Sequence, residues 1–242
     1  ESVNGGITFH GNTTRVDFFS FPYMTRLTDQ YGGFDRCVGD IGTRDELFNA
    51  YKNSVSEPFK GLADDIRINA PAKTLFREGA QYANYYDDYI NRFWSKYSSE
   101  DLVFTCEGGE FRGRVQGDRM RFTRSGSNLD FWVDKPSTQD VLEGRGAFDR
   151  GSSSDGERTK IELVIEAQLC AAFTRGIAMQ PENWGKPSTY YKSGEICNEY
   201  AKFFHEHSVS GKAYGFCYDD VNDQSTLVEC GNAANWTIDL GW

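Results

Sequence analysis

No apolar run in this sequence of 242 residues approaches the roughly 20 residues that a membrane-spanning helix requires, so a membrane is not an expected partner. Positive charge is in short supply. Lys and Arg number 26 against 36 Asp and Glu, a formal net charge of −10. Nucleic acid and anionic lipid both need a positive face, and neither is expected; a neutral or cationic ligand suits the chain better. The G-x-S-x-G elbow, the phosphate-binding Walker loop, the G-x-G-x-x-G turn and the H-E-x-x-H zinc helix are all missing, which removes the commonest hydrolase and nucleotide readings. The six cysteines form no C-x-x-C pair and no Cys/His spacing suited to zinc.

Two stretches look metal-like and fail on spacing. In His205-Glu206-His207 the imidazoles are two residues apart, and on a helix such residues point to nearly opposite sides. The run Asp219-Asp220 with Asn222 and Asp223 lacks the glycine and the distal glutamate of a calcium loop. No metal and no cofactor is expected.

Cysteines 37, 106, 170, 197, 217 and 230 lie far apart, and two sequons, Asn12-Thr13-Thr14 and Asn235-Trp236-Thr237, are used only on the oxidising secretory route. The expectation is a secreted, extracellular, disulfide-bonded glycoprotein. Cys217 and Cys230 flank a candidate hairpin and are the expected pair. No signal-peptide pattern begins at Glu1, as in a chain whose leader has already been removed.

The length allows one large or two modest domains with a core burying roughly 70% of the unfolded surface. The first stretch reads as a β-meander: Val3 before an Asn4-Gly5 turn, Ile7 to Phe9, a second turn at Gly11-Asn12, then Thr14 to Phe21 with period-2 alternation, ended by Pro22. Thr43-Arg44-Asp45-Glu46 is a capping box that opens a helix through Phe48 and Tyr51, fading near Pro58, with a short strand at Ile66 to Ile68 beyond. Aromatics at three- to four-residue spacing predict a half-buried helix over Tyr82 to Tyr97. From Leu102 to Val133 the chain is broken every six to nine residues by Gly or Ser, the mark of antiparallel strands, and Ser137 starts another short helix. Asp149 to Glu157 is a polar loop, and Lys160 to Met179 is the strongest helix in the chain. A last helix is expected over Glu195 to His207, with closing strands in AYGFCYDDV, TLVEC and WTIDLGW. Strands at both ends enclose a helical middle, which predicts a mixed α+β fold whose terminal strands share one sheet system.

The carboxylates remain. In TTRVDFFSF the alternation puts Val16 and Phe18 on one face and Arg15, Asp17 and Phe19 on the other. A carboxylate beside Phe on a strand costs stability if buried and unpaired, so either a cation neutralises Asp17 at the surface or it lies in a polar groove.

The run G-I-T-F-H-G-N-T-T-R-V-D-F-F-S-F-P resembles the N-(S/T)-T-x-V-D-(M/F)-F-S-x-P signature of glycoside hydrolase family 64, the laminaripentaose-producing β-1,3-glucanases with a thaumatin-like barrel. Four later segments agree in order: DDYINRFWSKY from Asp87, LCAAFTR from Leu169, Asn198-Glu199-Tyr200-Ala201 through His205 and His207, and KAYGFCYDDV from Lys212. The resemblance implies inverting hydrolysis of β-1,3-glucan to short oligosaccharides by a monomer, with the motif aspartate, Asp17, as general base. The family's general-acid glutamate stands sixteen residues ahead of that aspartate, which places it at Glu1. The expectation from the resemblance is a relative lacking the family's usual N-terminal portion.

An inverting glycosidase needs a protonated carboxylic acid on one side of the scissile bond and a water-activating carboxylate on the other, about 6.5 to 9.5 Å apart. Glu1 must then be held protonated while Asp17 stays ionised. Further sugar contacts are expected at Thr14, at His10, which stands where the family carries an aromatic, and at Asn198, His205 and Asp219. The implied architecture takes barrel or sandwich elements from 1–30 and 208–242, with 31–207 as an inserted helical α/β lobe and a wide groove between. The alternative is a β-glucan-binding, defence-related thaumatin-like module that does not turn over its ligand.

Overall fold

The computed structural model describes residues 2–3, 6–149 and 156–241. Three short strands come first, β1 (Ser2–Val3), β2 (Gly6–Ile7) and β3 (Phe9–Asn12), followed by β4 (Phe18–Phe19), β5 (Tyr23–Asp29) and β6 (Asp35–Gly39). Helix α1 (Arg44–Ser54) opens as its sequence predicts: the Thr43 side chain accepts from the Glu46 N–H, and the Glu46 carboxylate accepts from the Thr43 N–H at 2.8 Å. Helix α2 (Glu57–Lys60) carries Pro58 in its first turn, where no N–H is needed, and β7 (Ile68–Asn69) follows. Next come α3 (Asp87–Ser99), the strands β8 (Leu102–Cys106), β9 (Gly109–Gln116), β10 (Arg119–Arg124) and β11 (Asp130–Asp134), and helices α4 (Thr138–Glu143) and α5 (Gly156–Thr174). Helix α6 (Glu199–Glu206) and strands β12 (Leu227–Cys230) and β13 (Ala233–Leu240) complete the mixed helix-and-sheet order.

The chain divides into two units, one of Glu1–Thr74 with Glu199–Trp242 and one of Leu75–Asn198. In the first, the two chain ends do share open sheets: β12 pairs antiparallel with β3, and β13 with β5, which pairs on its other side with β6. Leu27, Val38, Val228 and Cys230 form a small core there, with Phe9 and Phe34 packed against it. The dividing points at 74/75 and 198/199 differ from the expected 30/31 and 207/208 for a packing reason. Phe19, from the terminal part, is buried against Phe48 of α1 and Phe204 of α6, with ring centroids 5.9 and 5.0 Å away, so those helices belong with it.

The second unit is built on the antiparallel meander β11-β10-β9-β8, as the Gly and Ser breaks predict. Alternation buries Phe104, Phe111, Met120, Phe122, Phe131 and Val133. Gly113 is required where it stands, since a Cβ would meet the Phe122 ring. Helix α3 packs against β9 and α5 against β11. The two helices meet through Phe173, whose ring lies 4.9 Å from Phe93 and 5.5 Å from Tyr89, centroid to centroid.

Several boundaries move from their expected places. Helix α3 starts at Asp87 rather than Tyr82, because Tyr82 to Tyr86 form i to i+3 turns and the Tyr86 N–H is taken by the Thr138 hydroxyl at 2.9 Å. Helix α5 stops at Thr174 rather than Met179. Gly176 at φ 70° donates to Phe173 O and Ile177 to Ala172 O, the paired bonds of a glycine C-terminal cap. Helix α6 begins at Glu199 rather than Glu195, since the Asn198 N–H is bonded to Thr174 O. Gly11-Asn12, expected as a turn, lies inside β3. The expected strand AYGFCYDDV is irregular and passes into turns that run on through Asn222 and Asp223, whose positive φ is tolerable for these short polar side chains. No hairpin therefore joins the two cysteines expected to pair: Cys217 lies in the turns, Cys230 lies at the end of β12 against β3, and all six cysteines stand as thiols.

Phe173 is fully buried, so Phe173→Ala leaves a cavity between α3 and α5; an equilibrium urea titration will show a loss of about 3–5 kcal/mol.

Candidate active site

Residues 13–17 form no strand, although their alternation predicts one; only Phe18–Phe19 pair, with Asn69 and Ile68. Several backbone groups of the segment are instead bonded to residues distant in sequence. The Thr226 hydroxyl donates to Thr13 O at 2.8 Å, and the Arg15 N–H donates to Tyr214 O at 2.7 Å. The Tyr200 hydroxyl donates to Arg15 O at 2.6 Å, Ala70 N–H to Asp17 O at 2.9 Å, and the Arg44 guanidinium to Ser20 O at 3.0 Å.

Arg15 and Asp17 do not share a face. Arg15 turns inward, 6% exposed, and pairs with the buried Asp40 carboxylate while donating to Thr14 O at 2.8 Å. Its guanidinium lies over the Tyr23 ring, 4.4 Å from the centroid. Tyr23 N–H also reaches Asp40. Burial pushes the Asp40 carboxyl above its ordinary range, and the Arg15 charge opposes that push without cancelling it. Gly39, just before Asp40, sits at φ 128° with no room for a Cβ beside the Tyr23 carbonyl. Burial also pushes the Tyr200 hydroxyl well up, so it remains a donor to Arg15 O.

Asp17 turns outward. Its side chain is 64% exposed, and Lys73 Nζ holds Oδ1 at 2.9 Å. The cation that the sequence asks for at this carboxylate is therefore Lys73 and not Arg15. Around Asp17 the single segment from Thr14 to Tyr23 lines an open-sided cavity of about 260 Å³. Phe18 and Phe21, both exposed, are among its lining residues and give it aromatic surface. The Phe18 ring is covered on one side by Arg67, 4.9 Å from its centroid.

Thr14 is exposed and lines this cavity, and His10 is exposed on β3 opposite Glu229 without lining it. Glu1, the expected partner of Asp17, lies outside the described residues. Asn198 is buried in the other unit. His205 and Asp219, expected as sugar contacts, are interior. His205 Nε2 lies 2.9 Å from both Asp219 oxygens and Nδ1 lies 2.8 Å from Gly211 O, while Asp219 also accepts from Gly215 N–H at 2.8 Å. A carbonyl cannot donate, so Nδ1 carries a proton and the second proton lies between Nε2 and the carboxylate. The pair ties α6 to the 211–219 turns. His207 goes elsewhere, stacking on Phe203 at 4.0 Å, and among the described residues no group of three or more His, Cys, Asp or Glu could hold a metal ion.

The sequence offered no sign of Phe18, Phe21, Asp40 or Lys73 as parts of this site. The one available clue was local: three Phe in five residues around a carboxylate exceed what a half-buried strand needs.

The sequence model of glycoside hydrolase family 64, described as beta-1,3-glucanase, matches residues 2–240. A glucan endo-1,3-beta-glucosidase of Cellulosimicrobium cellulans is 34% identical over 91% of this chain and 41% of its own length. The chain thus spans about two fifths of the length of the curated relatives it matches. A beta-1,3-glucanase domain of Clostridium beijerinckii superposes with a TM-score of 0.88 at 41% identity, covering 99% of this chain and 62% of that one. The laminaripentaose-producing beta-1,3-glucanase of Paenibacillus barengoltzii, solved with laminarihexaose, gives 0.68 at 34% identity over 96% of this chain and 43% of the other.

Replacing Asp40 leaves the Arg15 charge unpaired in the interior, and replacing Arg15 leaves Asp40 buried without its partner. Asp40→Asn and Arg15→Met will each cost about 3–5 kcal/mol in denaturant unfolding, and the double replacement less than their sum.

Proposed function

The chain belongs to glycoside hydrolase family 64, and from that premise we propose that it hydrolyses β-1,3-glucan to short oligosaccharides with inversion, Asp17 acting as general base. The observation that carries the assignment is the exposed Asp17 carboxylate on a cavity lined by Phe18 and Phe21, in a segment tied through its backbone to Tyr214, Tyr200, Ala70 and Arg44. Names of the relatives supply the substrate class: glucan endo-1,3-beta-glucosidase for the curated proteins, and laminarihexaose as the sugar in the solved complex.

In this mechanism Asp17 takes a proton from water as that oxygen attacks the anomeric carbon, and an acid on the opposite face of the sugar protonates the departing oxygen. Glu1 is the proposed acid on the spacing of the motif. Thr14 and the rings of Phe18 and Phe21 supply a polar contact and apolar surface for the glucose units on either side of the scissile bond. Neither step needs a metal. A thaumatin-like arrangement of the sheets belongs to the same proposal. So does a secreted location, supported by the exposed side chains of both sequon residues, Asn12 and Asn235.

Incubation with laminarin, followed by proton NMR of new reducing ends, tests the assignment. Short β-1,3-oligosaccharides whose reducing ends first appear as the α anomer are expected. Asp17→Asn will lower the rate by about 10²–10⁴-fold with an unchanged circular dichroism spectrum. Undiminished cleavage by that variant rejects Asp17 as the base, and laminarin retained without new reducing ends points to the binding module.

A further inference from the structure

The turn that follows β7 grips residue 17 at two points. Antiparallel pairing of Phe18 with Asn69 and Phe19 with Ile68 brings Ala70 opposite Asp17, and the Ala70 N–H donates to the Asp17 carbonyl at 2.9 Å. Pro71 to Lys73 then form a single 3-10 turn, closed by Lys73 N–H on Ala70 O at 3.0 Å, with Pro71 and Ala72 buried beneath it. Its last residue places Lys73 Nζ 2.9 Å from Asp17 Oδ1. Lys73 therefore starts from a fixed backbone position, although its side chain is half exposed. We infer that Lys73 is a positioning residue for the general base, holding one oxygen of Asp17 so that the other faces the attacking water. This inference rests on the reading of Asp17 as base.

The chemistry requires such a group and the surroundings offer it from one place. A general base must present one oxygen to water in a fixed direction, and an ammonium in contact with the other oxygen fixes that direction. Among the described cations near the segment, Arg15 is committed to Asp40 and Arg67 lies over the Phe18 ring. Two other charged or titratable groups near the segment contribute little here: the Tyr200 hydroxyl is held by Arg15 O, and the Arg44 guanidinium is held by Ser20 O. In the free protein the pair is solvated on both sides, and such pairs contribute little to folding. A role confined to structure is thus separable from a role in turnover.

The test compares wild type, Lys73→Met, Lys73→Arg and Asp17→Asn on laminarin, with melting curves for each. Lys73→Met is expected to lower kcat by about 10- to 100-fold with KM changed less than about threefold and an unaltered melting temperature. Lys73→Arg, which keeps a charged donor, is expected to recover most of the loss. Equal kcat in Lys73→Met and wild type, with Asp17→Asn inactive, overturns the role of Lys73 and leaves Asp17 as base. An active Asp17→Asn overturns both. If Lys73→Met is destabilised, a crystal structure of Lys73→Arg decides: the Asp17 carboxylate must remain on the guanidinium, and its departure with full activity retained contradicts the inference.

Discussion

A buried ion pair organises the candidate site. Arg15 lies two residues before Asp17 and points the other way, into the interior, where it meets Asp40 and the face of Tyr23. Because an arginine cannot shed its charge, it is satisfied only with the carboxylate in place, and the carboxylate is pushed toward protonation by burial. The pair gains little net stability over an apolar pair of the same shape, but it tolerates few alternative arrangements of the segment that bears it. That is the property the outward residue needs. Arg15 is fixed below and Phe19 is buried against Phe48 and Phe204, and the turn between them puts Asp17 at the surface.

The rest of the first unit supports this segment from several directions. Tyr200 of α6 and Tyr214 of the following turns bond the backbone of Arg15, while the buried His205–Asp219 pair holds α6 to those same turns. On the other side, Ala70 and Lys73 hold the backbone and the carboxylate of Asp17. Helix and turn segments nearly two hundred residues from Asp17 in sequence are thus part of its placement. Residues of the 199–207 and 212–221 segments help to hold the segment that presents Asp17.

Much of the framework was legible because it is coded locally. The Thr43 capping box, the core face of α3 and the Gly- and Ser-punctuated meander each draw on residues within a few positions of one another. Of the candidate site as described, Asp17 and Thr14 were legible in the sequence. Thr14 to Phe21 alternate as a strand should, yet the segment is held by single bonds to Tyr214, Tyr200, Ala70 and Arg44, none of which the alternation can announce. Arg15 and Asp17 have the charges of a neighbouring pair, and each found a partner elsewhere, Asp40 and Lys73. The same blindness to distant partners placed a strand over 213–221 and a bridge between Cys217 and Cys230, where the chain instead makes turns around the buried Asp219.

On the proposed function, the Thr14–Tyr23 segment is preformed to receive a β-1,3-glucan across Asp17. A crystal structure of the inactive Asp17→Asn protein with a laminari-oligosaccharide tests it most directly. The account predicts glucose rings against Phe18 and Phe21, an anomeric carbon within one water of residue 17, and a 14–23 backbone unmoved. Sugar bound elsewhere on the molecule, or a segment that must rearrange to receive it, would contradict the account.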